Sequence, residues 1–275
     1  MSAVSDAVTD SATMLRRNLR HMLRYPSMTL LLAAAPVTVL LLFVYVFGGT
    51  LGAGLSAGAG VPPGGGLAGG AVGRAAYVGY VTPGILLMMV AVATTATSVS
   101  VATDMTEGIM ARFRTMAISR ASVLTGHVLG GLIQTMLAVT VVLVVAVLVG
   151  FRPAAGVLGW AAAAGVLAAL TFALAWLSVA FGLVADSVET ASNLPMFLTL
   201  LPFLGSGFVP LASLPSGLRW FAQYQPFTPA TEALRGLLLG GPVAHDAIVT
   251  LIWSAAIASA SYLWARRLFR RRPVR

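Results

Sequence analysis

Apolar residues fall in blocks of about 20 along this chain, separated by short polar or glycine-rich stretches. A helix needs about 20 apolar residues to cross the roughly 30 Å hydrocarbon core of a bilayer. The blocks predict six spans, with approximate bounds 27–47, 77–103, 128–149, 157–184, 194–211 and 247–265. We therefore expect an all-α integral membrane protein, with residues 1–275 forming a single transmembrane domain.

The segment before the first span, residues 1–26, has the pattern of an amphipathic helix that lies in the lipid headgroup layer. Apolar side chains recur at helical spacing from Val8 to Leu23. The adjoining face carries four arginines that suit anionic lipid, Arg16, Arg17, Arg20 and Arg24. The alternative is an ordinary positively charged flank of the first span.

Two other segments are predicted to lie outside the membrane on one side. Residues 48–73 are rich in glycine and are expected to form a flexible external linker. Residues 212–246 are too apolar for a free loop and too interrupted for a span, and they predict short helices at 215–224 and 229–239. Thr228 is the expected N-cap of the second helix, and Gly240 is its expected stop. A helix of this length covers only about 16 Å, so the pair is predicted to be re-entrant.

The arginines predict the orientation. All 17 basic residues are Arg, and their positions favour a membrane surface rather than nucleic acid. With the N-terminus inside, thirteen arginines fall in cytoplasmic segments and four in external ones, Arg74, Arg152, Arg219 and Arg235. This bias predicts that both termini and residues 104–120 are cytoplasmic.

The composition excludes several kinds of chemistry. A phosphate-binding P-loop requires Lys, which the chain lacks, so ATP cannot be hydrolysed here by that motif. There is no Cys, and His21, His127 and His245 lie far apart in sequence, which predicts neither a metal site nor a histidine base. The cores of the predicted spans contain no ionisable residue, which argues against a proton-coupled carrier.

The polar stretch Asp104–Arg120, between spans 2 and 3, is the candidate functional segment. On a helix, Ile109, Phe113 and Met116 form an apolar ridge, and the flanking arginines would pair with acidic groups of a partner. A solvated turn is the alternative, but it would not need that ridge. A second polar turn follows span 4 and carries Asp186 and Glu189.

This stretch resembles the cytoplasmic loop of type-2 ABC exporter permeases, especially the daunorubicin/doxorubicin-resistance permeases of actinobacteria. The residues that match the family pattern are Asp104, Gly108, Arg112, Phe113, Arg114 and Arg120. A second match runs from Phe208-Val209-Pro210 to Gly240-Gly241-Pro242 and resembles the external helices of the family. The chain departs from the pattern at Ala117, where the family usually has Pro, so the shape of the end of the coupling helix is left open.

The resemblance implies a permease subunit in a bacterial plasma membrane that exports hydrophobic or amphipathic drug-like compounds or lipids, as in multidrug efflux and antibiotic resistance. A second copy or a sister permease would complete the pathway, and two cytoplasmic ATPase subunits would bind the ATP and Mg²⁺. The chain itself would be neither an enzyme nor the holder of a cofactor.

The implied coupling residues are Asp104, Glu107, Gly108, Ile109, Arg112, Phe113, Arg114, Met116, Arg120, Asp186 and Glu189. A membrane scaffold or immunity protein and, with less support, a proton-driven efflux carrier are the alternatives. The cargo, its contact residues and the choice of homodimer or heterodimer stay open.

Overall fold

The computed structural model describes residues 26–49, 67–106 and 120–271, and within these ranges the chain is helical, without β-strands. The elements in chain order are α1 (Pro26–Leu42) with a π-helical turn (Phe43–Phe47), α2 (Leu67–Thr106), α3 (Arg120–Val149), α4 (Val157–Val184), α5 (Val188–Asn193), α6 (Met196–Leu200) with a 3-10 turn (Leu201–Leu204), a further 3-10 turn (Leu211–Ser213), α7 (Ser216–Tyr224), α8 (Phe227–Leu239) and α9 (Ala244–Arg271). Five helices in the described ranges are long and apolar enough to cross a membrane: α1 with its π-turn, α2, α3, α4 and α9.

The all-α membrane class is confirmed, but six spans are not. Where a fifth span was predicted at 194–211, the described chain has no continuous helix; short helices and 3-10 turns follow one another instead. Pro195, Pro202 and Pro210 stand at these breaks. Proline has no N–H to donate, and its ring clashes with the preceding turn, so it interrupts the ladder of helical hydrogen bonds.

Two boundaries also differ from expectation. Residues 67–73, expected in the flexible linker, form the first turns of α2, because the helix of the apolar run continues back to Leu67; residues 50–66 lie outside the described residues. Helix α8 begins at Phe227 with Pro226 as its N-cap, and the Thr228 hydroxyl instead donates to the carbonyl of Ala222. The helix ends at the predicted glycine, since Gly240 has a φ of 87°. The re-entrant placement of α7 and α8 stays a prediction.

Helices α2 and α4 form the centre of the fold and are largely buried, whereas α1, α3 and α9 expose long apolar faces. Small residues let the central helices approach closely. A Cβ added to Gly182 on α4 would lie 2.6 Å from the carbonyl oxygen of Ser98 on α2. A Cβ added to Gly131 on α3 would lie 2.7 Å from the hydroxyl oxygen of Thr97 on α2. A Cβ at Gly182 would push the helices apart, because the obstacle is backbone, whereas a Cβ at Gly131 would require the Thr97 side chain to move.

The bundle has two ends. One end of the bundle is where α2 stops and α3 starts, and we call it the loop end because residues 107–119 join these helices there. The other end of the bundle is called the opposite end. Val101 of α2 packs at the loop end with Leu183 of α4 and Phe269 of α9. Helices α4 and α9, like α2, therefore run towards the loop end.

The broken segment, residues 185–208, runs the other way along α2. It starts at the loop end, where Ala191 packs against Ala102. It then reaches the level of Gly84, whose added Cβ would lie 2.6 Å from the carbonyl oxygen of Gly207. Ala102 and Gly84 are 18 residues apart on α2, which corresponds to about 27 Å at 1.5 Å per residue.

Candidate functional site

The predicted coupling residues are only partly within the described chain. Glu107, Gly108, Ile109, Arg112, Phe113, Arg114, Met116 and Ala117 lie outside the described residues, as do Arg16, Arg17, Arg20 and Arg24. Asp104 ends up in the last turn of α2, and Arg120 is the first residue of α3. Asp186 and Glu189 lie in the turn after α4 and the first turn of α5.

A buried polar contact joins the two helices that flank residues 107–119. The carboxylate Oδ2 of Asp104 on α2 lies 3.1 Å from Nε2 of His127 on α3, and the two side chains expose only 13% and 9% of their surface. A neutral imidazole can donate a hydrogen bond across this distance, and a protonated one adds an ion pair. Leu124 and Val128 of α3 pack with Val101 beside the pair. The contact therefore links the two helices that flank the predicted coupling loop.

His127 was not among the predicted site residues. The histidines were weighed by their distance from one another in sequence, whereas the partner of His127 is an aspartate 23 positions earlier on another helix. One signal is present in the sequence: Asp104 is the first residue of the polar stretch Asp104–Arg120, and His127 follows its last residue by about two helical turns. Two ionisable side chains in that position on adjacent antiparallel helices can meet.

The second predicted stretch lies at the same end of the bundle. Ser187 caps α5, its hydroxyl accepting a hydrogen bond from the backbone N–H of Thr190 at 3.2 Å. The exposed Glu189 carboxyl accepts hydrogen bonds from the Ser187 side chain and from the backbone N–H of Glu189 itself, and these bonds hold its pKa below the usual value. Ala191 of α5 packs against Ala102, two residues before Asp104. The structure thus brings both predicted coupling stretches to the loop end.

A second polar cluster lies towards the opposite end, around Arg235 of α8. The guanidinium donates to the carbonyls of Tyr80 at 3.1 Å and Ser206 at 2.9 Å, and pairs with the Glu232 carboxylate at 2.6 Å. It also lies over the Tyr80 ring, 4.1 Å from the centroid. The Gln225 side chain donates to the carbonyl of Leu201 at 2.9 Å. Side chains from α8 and the turn before it therefore bond carbonyls of the broken segment.

Long apolar helices with their ionisable side chains gathered towards the two ends define a multi-pass membrane protein. The comparison with known families identifies which kind. The chain belongs to the ABC-2 type transporter family, whose model matches residues 10–239. The family predicted from the loop and from the motifs before the last span is thereby confirmed, and the chain is a transporter permease.

Three relatives show how far the similarity reaches. The chain is 27% identical to the daunorubicin resistance ABC transporter permease protein DrrB1 of Streptomyces coeruleorubidus, over 98% of this chain and 88% of that protein. It is 30% identical to the probable doxorubicin resistance ABC transporter permease protein DrrC of Mycobacterium tuberculosis, over 54% of each. It is 28% identical to ABC transporter G family member 20 of Dictyostelium discoideum, over 68% of this chain and 25% of that protein.

Proposed function

We propose that this chain is the transmembrane subunit of an ABC exporter in a bacterial plasma membrane, driven by separate cytoplasmic subunits that bind ATP and Mg²⁺. The observation that carries the proposal is the family match over residues 10–239, within which lies a polar loop between two long helices. The absence of Lys supports a separate ATPase, because a P-loop cannot be built from this sequence.

The proposed topology has six crossings, the fifth of them discontinuous, and places both termini and the loop end in the cytoplasm. The path of the broken segment supports it, since about 27 Å along α2 is close to the thickness of the hydrocarbon core. A broken crossing in an apolar medium needs partners for its freed carbonyls. Gln225 and Arg235 supply donors to two of them.

Cysteine labelling tests this topology, because the chain has no native Cys. Thr190 and Ser216 are both exposed: Thr190 lies near the start of the broken segment, at the loop end, and Ser216 lies beyond its other end. We expect Thr190→Cys to react with a membrane-impermeant maleimide only from the cytoplasmic side and Ser216→Cys only from outside. Labelling of both variants from the same side would contradict a fifth crossing.

The proposed cargo is a hydrophobic or amphipathic drug-like compound or a lipid. The drug-resistance names of two relatives support this choice. Most buried polar side chains of the described residues are hydroxyl groups within apolar surroundings, and the one charged side chain among them, Asp104, lies at the loop end, so this interior suits such molecules better than ions. A second permease subunit, either another copy of this chain or a sister, would complete the pathway. Co-purification of two differently tagged copies distinguishes these two assemblies.

In the proposed mechanism, the ATPase subunits dock on residues 104–120 and on the turn at 186–193. ATP-driven closure of the partner displaces this end of the bundle, and the rigid helices carry the displacement to the pathway. The apolar ridge of Ile109, Phe113 and Met116 supplies the docking surface, and Arg112 and Arg114 pair with acidic groups of the ATPase.

The experiment combines co-purification with export from vesicles loaded with an anthracycline. The variant Phe113→Ala with Arg112→Ala is expected to reach the membrane normally but to lose most ATPase association and export. The matched control is Leu158→Ala with Arg152→Ala, an exposed apolar residue and an exposed arginine at the opposite end. If the first variant binds and exports as the control does, the docking role is wrong.

Export that survives ATP depletion but stops when the proton gradient collapses would indicate a proton-driven carrier. A cytoplasmic partner without any export would indicate a scaffold.

A further inference from the structure

We propose that Asp104 and His127 act as a clamp that holds the loop-end tips of α2 and α3 together, so that a force on residues 107–119 moves both helices as one body. The inference rests on the proposed coupling function, and it gives Asp104 a different part in it. Its carboxylate is buried against α3 rather than presented to a partner. Both residues are thus positioning residues for coupling.

The position of the pair is the first support. Asp104 lies two residues before the end of α2, and His127 lies two turns into α3. The two side chains therefore meet at the last turn of α2 and about two turns inside the start of α3. A force applied to the loop reaches both helix ends, and a link across them keeps one from sliding past the other.

The packing beneath the pair is the second support. Deeper in the bundle, the same two helices meet at Thr97 and Gly131, where an added Cβ would lie 2.7 Å from the threonine hydroxyl oxygen. Between these two levels, Val101 packs with Val128, and the cluster also includes Leu124, about one turn nearer the loop than His127, and extends to α4 and α9. The clamp therefore lies between residues 107–119 and the packed core to which a motion of those residues would be transmitted.

The chemistry of the pair suits a fixed link. Apolar contacts tolerate sliding, whereas a hydrogen-bonded contact holds at a set distance and direction. Because at most 13% of either side chain is exposed, water and salt screen the contact only weakly. Loss of the Asp104 carboxylate leaves the buried His127 imidazole without this hydrogen bond, so the helix ends must rearrange.

The first test measures coupling in the reconstituted complex of permease and ATPase. His127→Ala is expected to keep ATPase binding and hydrolysis but to lower the cargo exported per ATP about tenfold, as for the loss of a typical coupling free energy, and Asp104→Ala should lower this ratio by the same factor. The double alanine variant should be no worse than either single variant, because both remove the same link. Asp104→His combined with His127→Asp should recover much of the coupling. Thr106→Ala, which removes only a hydroxyl bonded to the carbonyl of Thr103, is the control in the same turn.

The second test needs no ATPase and so separates failure of the clamp from failure of the proposed function. Spin labels on Thr106→Cys and Ser122→Cys report the distance between the tips of α2 and α3 in a chain with no other Cys. We expect a narrow distance distribution that either alanine substitution broadens and the exchanged pair narrows again. An unchanged distribution in the alanine variants, or unchanged export per ATP, would overturn the clamp. If wild-type protein binds no ATPase, the proposed function fails, and the spin-label distances alone decide on the clamp.

Discussion

Replacing Gly84 by alanine tests the packing of the broken segment against α2. The new Cβ would lie 2.6 Å from the carbonyl oxygen of Gly207 and 2.7 Å from its Cα, distances that real Cβ atoms essentially never show. The obstacle is backbone, so no change of rotamer relieves it, and the segment must move by about 1 Å within a close-packed interior. Overpacking of this kind costs about 1–3 kcal/mol.

Gly79 provides a matched control on the same helix. A Cβ added there would meet Leu239 at 3.6 Å, which is ordinary van der Waals contact. Alanine in place of glycine in a helix interior also gains about 1 kcal/mol of helix propensity. The gain applies to both substitutions, but only Gly84→Ala opposes it with a clash. We expect the two variants to differ by about 2 kcal/mol in free energy of unfolding, with Gly84→Ala the less stable.

The assay is thermal unfolding of the purified proteins in the same detergent at one scan rate. In domains of about 150–250 residues, 1 kcal/mol shifts the midpoint by about 2–4 °C, and this chain of 275 residues lies close to that range, so Gly84→Ala should melt roughly 4–8 °C below Gly79→Ala. Equal midpoints, or a higher midpoint for Gly84→Ala, would refute the close approach of the broken segment to α2. Export should fall with Gly84→Ala and stay near wild type with Gly79→Ala, provided that the segment forms part of the pathway wall.

Two further pairs of variants test contacts in other parts of the bundle. Arg235→Ala removes a donor from the Tyr80 carbonyl, which lies within α2, and from the Ser206 carbonyl, which lies outside a helix and whose loss of a partner costs about 1–3 kcal/mol. The exposed Arg219 bonds two carbonyls that water can reach. Arg235→Ala should therefore melt several degrees below Arg219→Ala, and similar midpoints would contradict its bridging role. On α4, Gly182→Ala would place a Cβ 2.6 Å from the carbonyl oxygen of Ser98, whereas Gly165 has nothing within 4 Å. Gly182→Ala should lower the midpoint and Gly165→Ala should not, and the reverse order would show that α2 and α4 do not meet there.

The helices that sequence predicted best are those whose signal is local. The predicted fourth span and α4 have the same bounds, 157–184, because an unbroken apolar run ends on both sides at polar or helix-breaking residues. The fifth predicted span is as apolar, but its prolines divide it. Counting apolar residues detects solubility in lipid and does not detect whether the backbone closes its own hydrogen bonds. The π-helical turn at Phe43–Phe47 has no evident local signal at all.

The candidate site also has features that the sequence predicted and features that it did not. The place of the polar loop between two spans was predictable, since charged residues in an apolar chain mark the membrane faces. The contact between Asp104 and His127 was not, because it depends on how α2 and α3 pack. Likewise, Arg235 was predicted as an external arginine within the second family match, without a partner on another helix, and its bond to Tyr80 spans 155 positions of sequence. Such contacts become visible only after the helices are placed.

The two polar clusters place different constraints on the bundle. At the loop end, Asp104 and His127 join two continuous helices whose backbone hydrogen bonds lie within each helix, apart from the one that is missing at Pro83 of α2. Towards the opposite end, the broken segment takes hydrogen bonds from Gln225 and Arg235, and a displacement relative to α8 would break them. Leaving a carbonyl without a donor in an apolar medium costs several kcal/mol, so the segment and α8 are expected to move together or not at all. The broken segment also contacts α2 at Ala102, next to the clamp. A displacement that enters at the loop end can therefore reach α8 through two sets of contacts, the continuous helix α2 and the segment beside it.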